Sequence, residues 1–258
     1  MATATVEPWG LAGDRRWMVV DADGRAVTAR EIPPMVLVAP ALAPSLNGGA
    51  TITLTFPEVP DLTVAVSPGS DLVPVEVWGT KLQAAQAGDA ATEWFTKVLG
   101  EPVRLVYLDD PTRRQVDPKW SQDTDRVSFA DGYPLLLATE ESLAALNALI
   151  AAGRHAAEGP LPITRFRPNV VVAGSAAWAE DKWLRLLIGD VPFRVAKGCD
   201  RCVFTTIDPD TAAKGKEPLA TLARHRRWNG KVWFGVNLIP DDPASAAVIR
   251  VGDPVVIR

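Results

Sequence analysis

What most restricts the fold of this chain is its punctuation: short runs of β-branched and aliphatic residues, interrupted again and again by glycine and proline. The 258 residues hold 19 glycines and 22 prolines, and neither gathers in a low-complexity tract. Positions 51–56 (Thr-Ile-Thr-Leu-Thr-Phe) and 62–66 (Leu-Thr-Val-Ala-Val) alternate apolar with polar or small residues, the period-two pattern of strands with one face in a core. Comparable segments at 16–20, 26–30, 73–78, 103–107, 134–138, 170–172, 183–188, 191–195, 203–207, 232–238 and 247–257 predict further strands, the last broken at Gly252-Asp253. Asp21-Ala22-Asp23-Gly24 predicts a hairpin turn between 16–20 and 26–30, and Pro74 marks its segment as an edge strand or a strand start. Gly189-Asp190 and Gly252-Asp253 read as equivalent tight turns, and Trp17, Trp183 and Trp233 as core residues within strands.

Helical periodicity is confined to three places. Asp89 is placed to cap a helix through Leu99, with Trp94, Phe95, Val98 and Leu99 on one face and Gly100 at its end. Thr139 is placed to cap a second, with Glu140 and Glu141 in its first turn, Leu143, Leu146, Leu149 and Ile150 toward a core, and Gly153 as its stop. A third spans 218–227, where Pro218 sits early enough to cost no hydrogen bond. Many short strands with few helices predict a mainly β chain (α+β) built on a barrel. The polar stretch 109–126, broken by Pro111 and Pro118, is either a domain boundary or an ordered active-site loop.

Both cysteines lie in the run Lys197-Gly198-Cys199-Asp200-Arg201-Cys202. A zinc site needs four nitrogen or sulfur ligands, and the two histidines, His155 and His225, are far apart. A thioredoxin-like dithiol opens a helix, whereas 203–207 reads as a strand. A lone thiolate binding a soft metal, its thiol acidified by a cation such as Arg201, is the third reading. Packing of both cysteines as small hydrophobes is the fourth. Two cysteines make neither a secreted disulfide framework nor an ordinary iron–sulfur site. A net charge of −4 argues against a duplex nucleic-acid binder. The first residues lack a signal-peptide pattern and no apolar run reaches membrane-spanning length, so a soluble cytoplasmic protein is expected.

Further residues narrow these choices. Cys199-x-x-Cys202-x-x-Thr205-Thr206-x-Asp208-Pro209-Asp210-Thr211, then Lys216-Glu217-Pro218-Leu219 and Phe234-Gly235-Val236-Asn237, resemble the MOSC domain of molybdenum-cofactor proteins. The segments Gly10-Leu11-Ala12-Gly13-Asp14-Arg15-Arg16-Trp17, Phe129-Ala130-Asp131-Gly132-Tyr133-Pro134 and Arg165-Phe166-Arg167-Pro168-Asn169 agree, in the order of the amidoxime-reducing members of that family. The resemblance implies a MOSC β-barrel, 111–258, behind a smaller β-rich N-terminal domain, 1–110. It implies a Mo-molybdopterin cofactor ligated by Cys202, with Cys199 off the metal. Arg15, Arg167, Asn169 and Arg201 fall at cofactor-holding positions, where guanidinium forks suit phosphate, and Arg16 and Arg165 read as their solvated neighbours. Asp131 falls at an acidic position near the metal, as a proton relay or simply a turn residue.

The activity so implied is reduction of N-hydroxylated compounds, with electrons from a separate flavin, haem or ferredoxin-type protein and neither pyridoxal phosphate nor an iron–sulfur cluster in this chain. A noncatalytic cofactor-binding or sulfur-transfer module is the alternative, and a thiol redox protein a third. Relatives carry a Tyr-Pro-x-Lys-Ser strand ahead of the segment matching Gly10, and Met1 to Pro8 does not correspond to it. The expectation is therefore a chain lacking that first strand and its cofactor-binding lysine.

Overall fold

The computed structural model describes residues 2–43, 49–241 and 247–258. The chain is mainly β, with three α-helices among the described residues, α1 (Asp89–Leu99), α2 (Glu140–Ala151) and α3 (Leu219–His225). It divides into two compact units, one formed by Met1–Asp14, Gln115–Asp208 and Lys214–Arg258, the other by Arg15–Arg114 and Pro209–Ala213. No helix among the described residues is long and apolar enough to cross a membrane.

The first unit is built on a nearly closed barrel sheet. Its strands run in the order Val170–Val172, Leu135–Thr139, Lys231–Pro240, Val191–Asp200, Arg185–Ile188 and Val255–Ile257, with Arg227–Trp228 also pairing Lys231–Pro240. Only the first pair is parallel. Thr3–Glu7 pairs with Val248–Arg250 on one side and Gly10–Leu11 on the other. Alternate residues of these strands, among them Leu135, Leu137, Leu186, Phe193, Val236 and Leu238, fill one core together with Val6 and Ile249. Each such side chain contributes about 1.5–3 kcal/mol through the apolar surface it removes from water. Gly235 lies in the central strand at φ 74°, and a Cβ there would stand 2.6 Å from the Leu137 carbonyl oxygen. Only glycine satisfies both conditions, which gives the Phe-Gly-Val-Asn run a steric reason.

A second cluster joins α2 and α3 to the sheet through Leu146, Ile150, Leu222, Phe166 and Phe234. The start of α2 is as the sequence predicts, with the Thr139 side chain accepting from the Ser142 amide at 3.1 Å. The other unit holds a four-stranded sheet, Trp17–Val20, Arg104–Tyr107, Thr80–Gln86 and Leu72–Val77, and a three-stranded one, Ala39–Ala43, Ala50–Phe56 and Val59–Val66. Trp94, Phe95 and Leu99 of α1 pack with Ile52, Leu54, Val64 and Leu105 in its core.

Several local expectations are corrected. The turn at Asp21–Gly24 forms, but 26–30 gives only a bridge at Ala26, and Trp17–Val20 takes Arg104–Tyr107 as its partner instead. Asp89 is the first helical residue, and Gly88, at φ 87°, occupies the cap. Strand 191–195 continues to Asp200, and the polar Thr80–Gln86 is a strand the pattern did not reveal. Gly189-Asp190 closes a hairpin, whereas Gly252-Asp253 connects Val248–Arg250, paired to Thr3–Glu7, with Val255–Ile257, paired to Arg185–Ile188. The two turns are not equivalent. Trp183 is buried, but Trp17 and Trp233 are only partly so.

Candidate functional site

Val191–Asp200 ends on Cys199 and Asp200, and the chain then folds over rather than continuing as a strand. Residues 203–207, expected as a strand, form a 3-10 turn, Val203–Thr206, headed by Cys202. The reason lies in the threonines. Thr205 Oγ1 donates to the Cys202 carbonyl at 3.0 Å and Thr206 Oγ1 to the Val203 carbonyl at 2.8 Å, local bonds that offer the backbone an alternative to a sheet ladder. The half-buried Cys202 is thus held in extended conformation at the mouth of a turn.

A second 3-10 turn, Ile163–Phe166, faces the first. Phe166 stacks on Phe234 with ring centroids 3.9 Å apart, which anchors it to the central strand. Arg201 ties the two turns together, Nη1 donating to Cys199 Sγ and Nη2 to the Phe166 carbonyl, both at 2.9 Å. Arg165 does the same from the other side, with Nη2 to Asp208 Oδ2 at 2.9 Å and Nη1 to the Thr205 carbonyl at 3.4 Å. Arg165 is therefore a buried brace and not the solvated neighbour its position suggested, its side chain only 9% exposed. Arg16 is likewise buried, donating through Nε to the Leu108 carbonyl at 2.8 Å.

The expected residues do not all converge. Cys199, Arg201, Cys202 and Arg167 belong to this pair of turns, Arg167 at φ 52° with its guanidinium 5.7 Å from the Phe204 ring. Asn169 is nearby in sequence but serves the fold, Oδ1 accepting from the Leu136 amide at 3.0 Å and Nδ2 donating to Asp14 Oδ2 at 2.7 Å. Asp131 is exposed and close enough to Cys199 to influence its thiol. Arg15 lies in the other unit, at φ 49°.

Burial pushes the Cys199 thiol up, and the opposing pull of Arg201 does not overcome it, with Asp200 and Asp131 adding to the rise. The cation expected to acidify a metal-binding thiol thus stands on Cys199, which keeps its proton and acts as a hydrogen-bond acceptor. Burial also works against ionisation of Asp200, but bonds from Lys231 at 2.8 Å and Lys197 at 3.0 Å outweigh it and hold that carboxyl below its usual range. The Tyr133 phenol is pushed up by burial and by Asp117, Asp200 and Cys199. Lys197, Asp200 and Asp208 were not singled out from sequence, although each lies in or beside the cysteine run. The signal was a charged residue flanking a motif, which many solvated residues share.

Two buried guanidinium atoms at this site, Nε of Arg165 and of Arg201, have no hydrogen-bond partner. Nε of Arg104 and of Arg226, outside these turns, is in the same state, so it is the gathering of Arg165, Arg167 and Arg201 on one pair of turns that suits them to an anionic ligand. Among the described residues no group of three or more His, Cys, Asp or Glu side chains is arranged to hold a metal ion. A metal on Cys202 would then draw its remaining donors from a ligand. A separate cavity of about 370 Å³, lined by Arg154, His155, Glu217, Ala220, Thr221 and Arg224, contains none of the expected site residues.

The barrel and the cysteine-headed turn define the class, since residues 124–256 match the MOSC domain model and residues 1–102 the MOSC N-terminal beta barrel domain model. The chain belongs to the MOSC-domain family. Within it, the chain is 35% identical to mitochondrial amidoxime-reducing component 1 of Homo sapiens, over 95% of this chain and 73% of that protein. The Danio rerio protein of the same name is 34% identical, over 86% and 67%. Molybdenum cofactor sulfurase of Oryza sativa subsp. japonica is 30% identical, over 90% of this chain and 30% of the sulfurase.

Proposed function

We propose that this chain is a molybdenum-cofactor enzyme that reduces N-hydroxylated compounds to the corresponding N–H compounds. The observation that carries the reading is the presentation of Cys202 at the head of a turn braced by Arg165 and Arg201, in a chain 35% identical to an amidoxime-reducing component. Cys202 would anchor the metal, because thiolate is a soft donor that matches dithiolene sulfur. Arg165, Arg167 and Arg201 would hold the anionic parts of the cofactor through charge-assisted bonds. When bound, that cofactor would supply the two electrons that reduce the N–O bond.

The remaining work falls to the protein. Cys199, kept protonated under Arg201, fixes the geometry of the turn without competing as a ligand. Asp131 is exposed, near enough to bear on the Cys199 thiol, and is the group we assign to proton delivery. The balanced reaction, R–NHOH + 2e⁻ + 2H⁺ → R–NH₂ + H₂O, needs a separate electron-donor protein. We further read the two domains expected as 1–110 and 111–258 as the functional ones, with Met1–Asp14 serving the barrel of the second, and the cytoplasm as the site of action. The match to a molybdenum cofactor sulfurase over 90% of this chain favours a second reading, a cofactor-binding or sulfur-transfer module without reductase activity.

Metal content and turnover separate the two. The holoprotein is expected to contain near-stoichiometric molybdenum and to reduce a model amidoxime with dithionite-reduced methyl viologen. Cys202→Ser should lose both properties, while Cys199→Ser keeps measurable activity. Stoichiometric molybdenum without turnover selects the module, and equal loss from both substitutions with a reversible disulfide selects a dithiol protein.

A further inference from the structure

Between Glu217 and Asp241 the chain carries Arg224, Arg226, Arg227 and Lys231 and no acidic residue, although its formal net charge is −4. Much of this segment is a hairpin, with Arg227 opposite Val232 and Trp228 opposite Lys231. Asn229 and Gly230, at φ 52° and 73°, form its two-residue turn, the geometry that an Asn-Gly pair favours. Arg227, Trp228 and Lys231 are exposed at the tip.

The tip is not an isolated projection. Trp228 stacks on Trp233 with centroids 5.6 Å apart and planes at 16°, and Trp233 Nε1 donates to the Trp228 carbonyl at 3.0 Å. Arg226 lies between Trp178, at 4.3 Å, and Trp228, at 4.8 Å, and is paired with Asp181 at 2.6 Å. At the inner end, Trp233 is the register partner of Asp200 and rests on Gly198, where a Cβ would come 3.0 Å from its ring. A rigid aromatic stack therefore joins an exposed basic tip to the strand bearing Cys199, just before Cys202. The facing sides of Trp228 and Trp233 are taken by each other and Trp228 also packs with Arg226, so the stack is already filled and a planar substrate has no slot within it. Exposed Trp and Arg are also the residue types that anchor protein interfaces.

We propose that this hairpin is the docking surface for an acidic one-electron carrier protein. The inference rests on the reductase reading above and adds the chemical class of the donor and its place of contact. Lys231 is paired with Asp200 at 2.8 Å, but Arg227 at the tip and Arg224, near the end of the adjoining α3, are exposed and make no ion pair among the described residues, leaving their charge available to a carboxylate-rich partner. Each turnover takes two electrons, so the carrier is oxidised by one electron at each of two visits, and the two protons come from solvent.

The test uses holoenzyme, a model amidoxime, and two reductants: an acidic [2Fe–2S] ferredoxin with its reductase, and dithionite-reduced methyl viologen. For Arg224→Glu/Arg227→Glu, and for Arg227→Gln as the milder variant, KM for ferredoxin should rise, by about tenfold in the double variant, the scale on which interface charges steer association. The salt dependence of that KM should flatten, and viologen-driven turnover should be unchanged. A ferredoxin KM unaffected by both variants overturns the proposal, as does an equal fall in viologen-driven turnover. Loss of self-association, or of binding to anionic vesicles or single-stranded RNA, with the ferredoxin KM intact, assigns the hairpin to those occupants and also overturns it. Wild-type protein inactive with viologen instead overturns the reductase reading, a failure visible before any variant is made.

Discussion

Arg167 and Asn169 are two positions apart and do different physical work. Asn169 uses both ends of its amide within the fold, on the Leu136 backbone and on Asp14. Removing it takes one bond from the part-buried Leu136 amide and one from the Asp14 carboxylate, at a cost of about 0.5–1.5 kcal/mol for each bond. Arg167 is exposed and in the left-handed region, so its side chain is oriented by the turn rather than by burial. We expect Asn169→Ala to lower the urea midpoint of the cofactor-free protein while Arg167→Ala leaves it nearly unchanged. Arg167→Ala should instead lose molybdopterin on extended dialysis, by the about 1.5–3 kcal/mol of a charged hydrogen bond. An Arg167→Ala protein that keeps its full cofactor complement removes that residue from the site. Sequence alone could name both residues but not divide them, because a polar residue beside a motif carries no mark of whether its partner is backbone or ligand. The same limit explains Arg16 and Arg165, which read as solvated charges and prove to be buried braces.

At the scale of elements, the start of α2 shows what a cap signal reveals and what it hides. Thr139 and the acidic first turn were legible. The buried Glu180 that completes the cap was not, because its partners lie about forty positions away. Its Oε2 accepts from Ser142 Oγ at 2.9 Å and Thr139 Oγ1 at 3.3 Å, while Oε1 is buried without a partner. Burial pushes this carboxyl above its ordinary value of 4.5, against the pull of the two hydroxyls. The folded state therefore binds the proton more tightly than the unfolded chain does. Stabilisation from this group is full below that ordinary value and is lost as pH rises through the folded-state one. Glu180→Gln, which is neutral and nearly isosteric, should raise Tm at neutral pH relative to wild type and leave it little changed at pH 4. The difference between the two melting curves isolates Glu180 from Asp110, Glu158 and Asp200, whose lowered values act in the opposite direction. A difference that does not grow with pH would mean that the carboxyl is ionised without penalty. The misread 203–207 segment has a related cause, since β-branched composition argued for a strand and local threonine bonds decided for a turn.

For the whole molecule, the compact unit that contains the cysteines is discontinuous in sequence. Met1–Asp14 belongs with Gln115–Asp208 and Lys214–Arg258, and Arg15–Arg114 forms its own core between them. Thr3–Glu7 gave a weak signal because its alanines and threonines have little apolar contrast, yet it pairs along Val248–Arg250 and buries Val6 to 2% in the barrel core. The Val6 amide donates to the Ala247 carbonyl at 2.7 Å, and the Val251 amide to the Ala2 carbonyl at 2.9 Å. A fragment of residues 115–258 would thus expose one edge of Val248–Arg250 and forfeit about 1.5–3 kcal/mol from Val6 alone. Ile249, 8% exposed, packs in the same cluster and would lose part of its cover. That fragment is expected to melt well below the whole chain and to self-associate through the open edge. Adding a peptide of residues 1–14 in trans should raise its Tm in a concentration-dependent way, as for any ligand that binds only the folded state. A peptide with Val6→Asp should not do so, because the substitution places a charge in the barrel core. If the fragment melts with the whole chain, or if both peptides rescue it equally, Thr3–Glu7 is peripheral to the barrel and the cysteine-bearing unit folds fully without it.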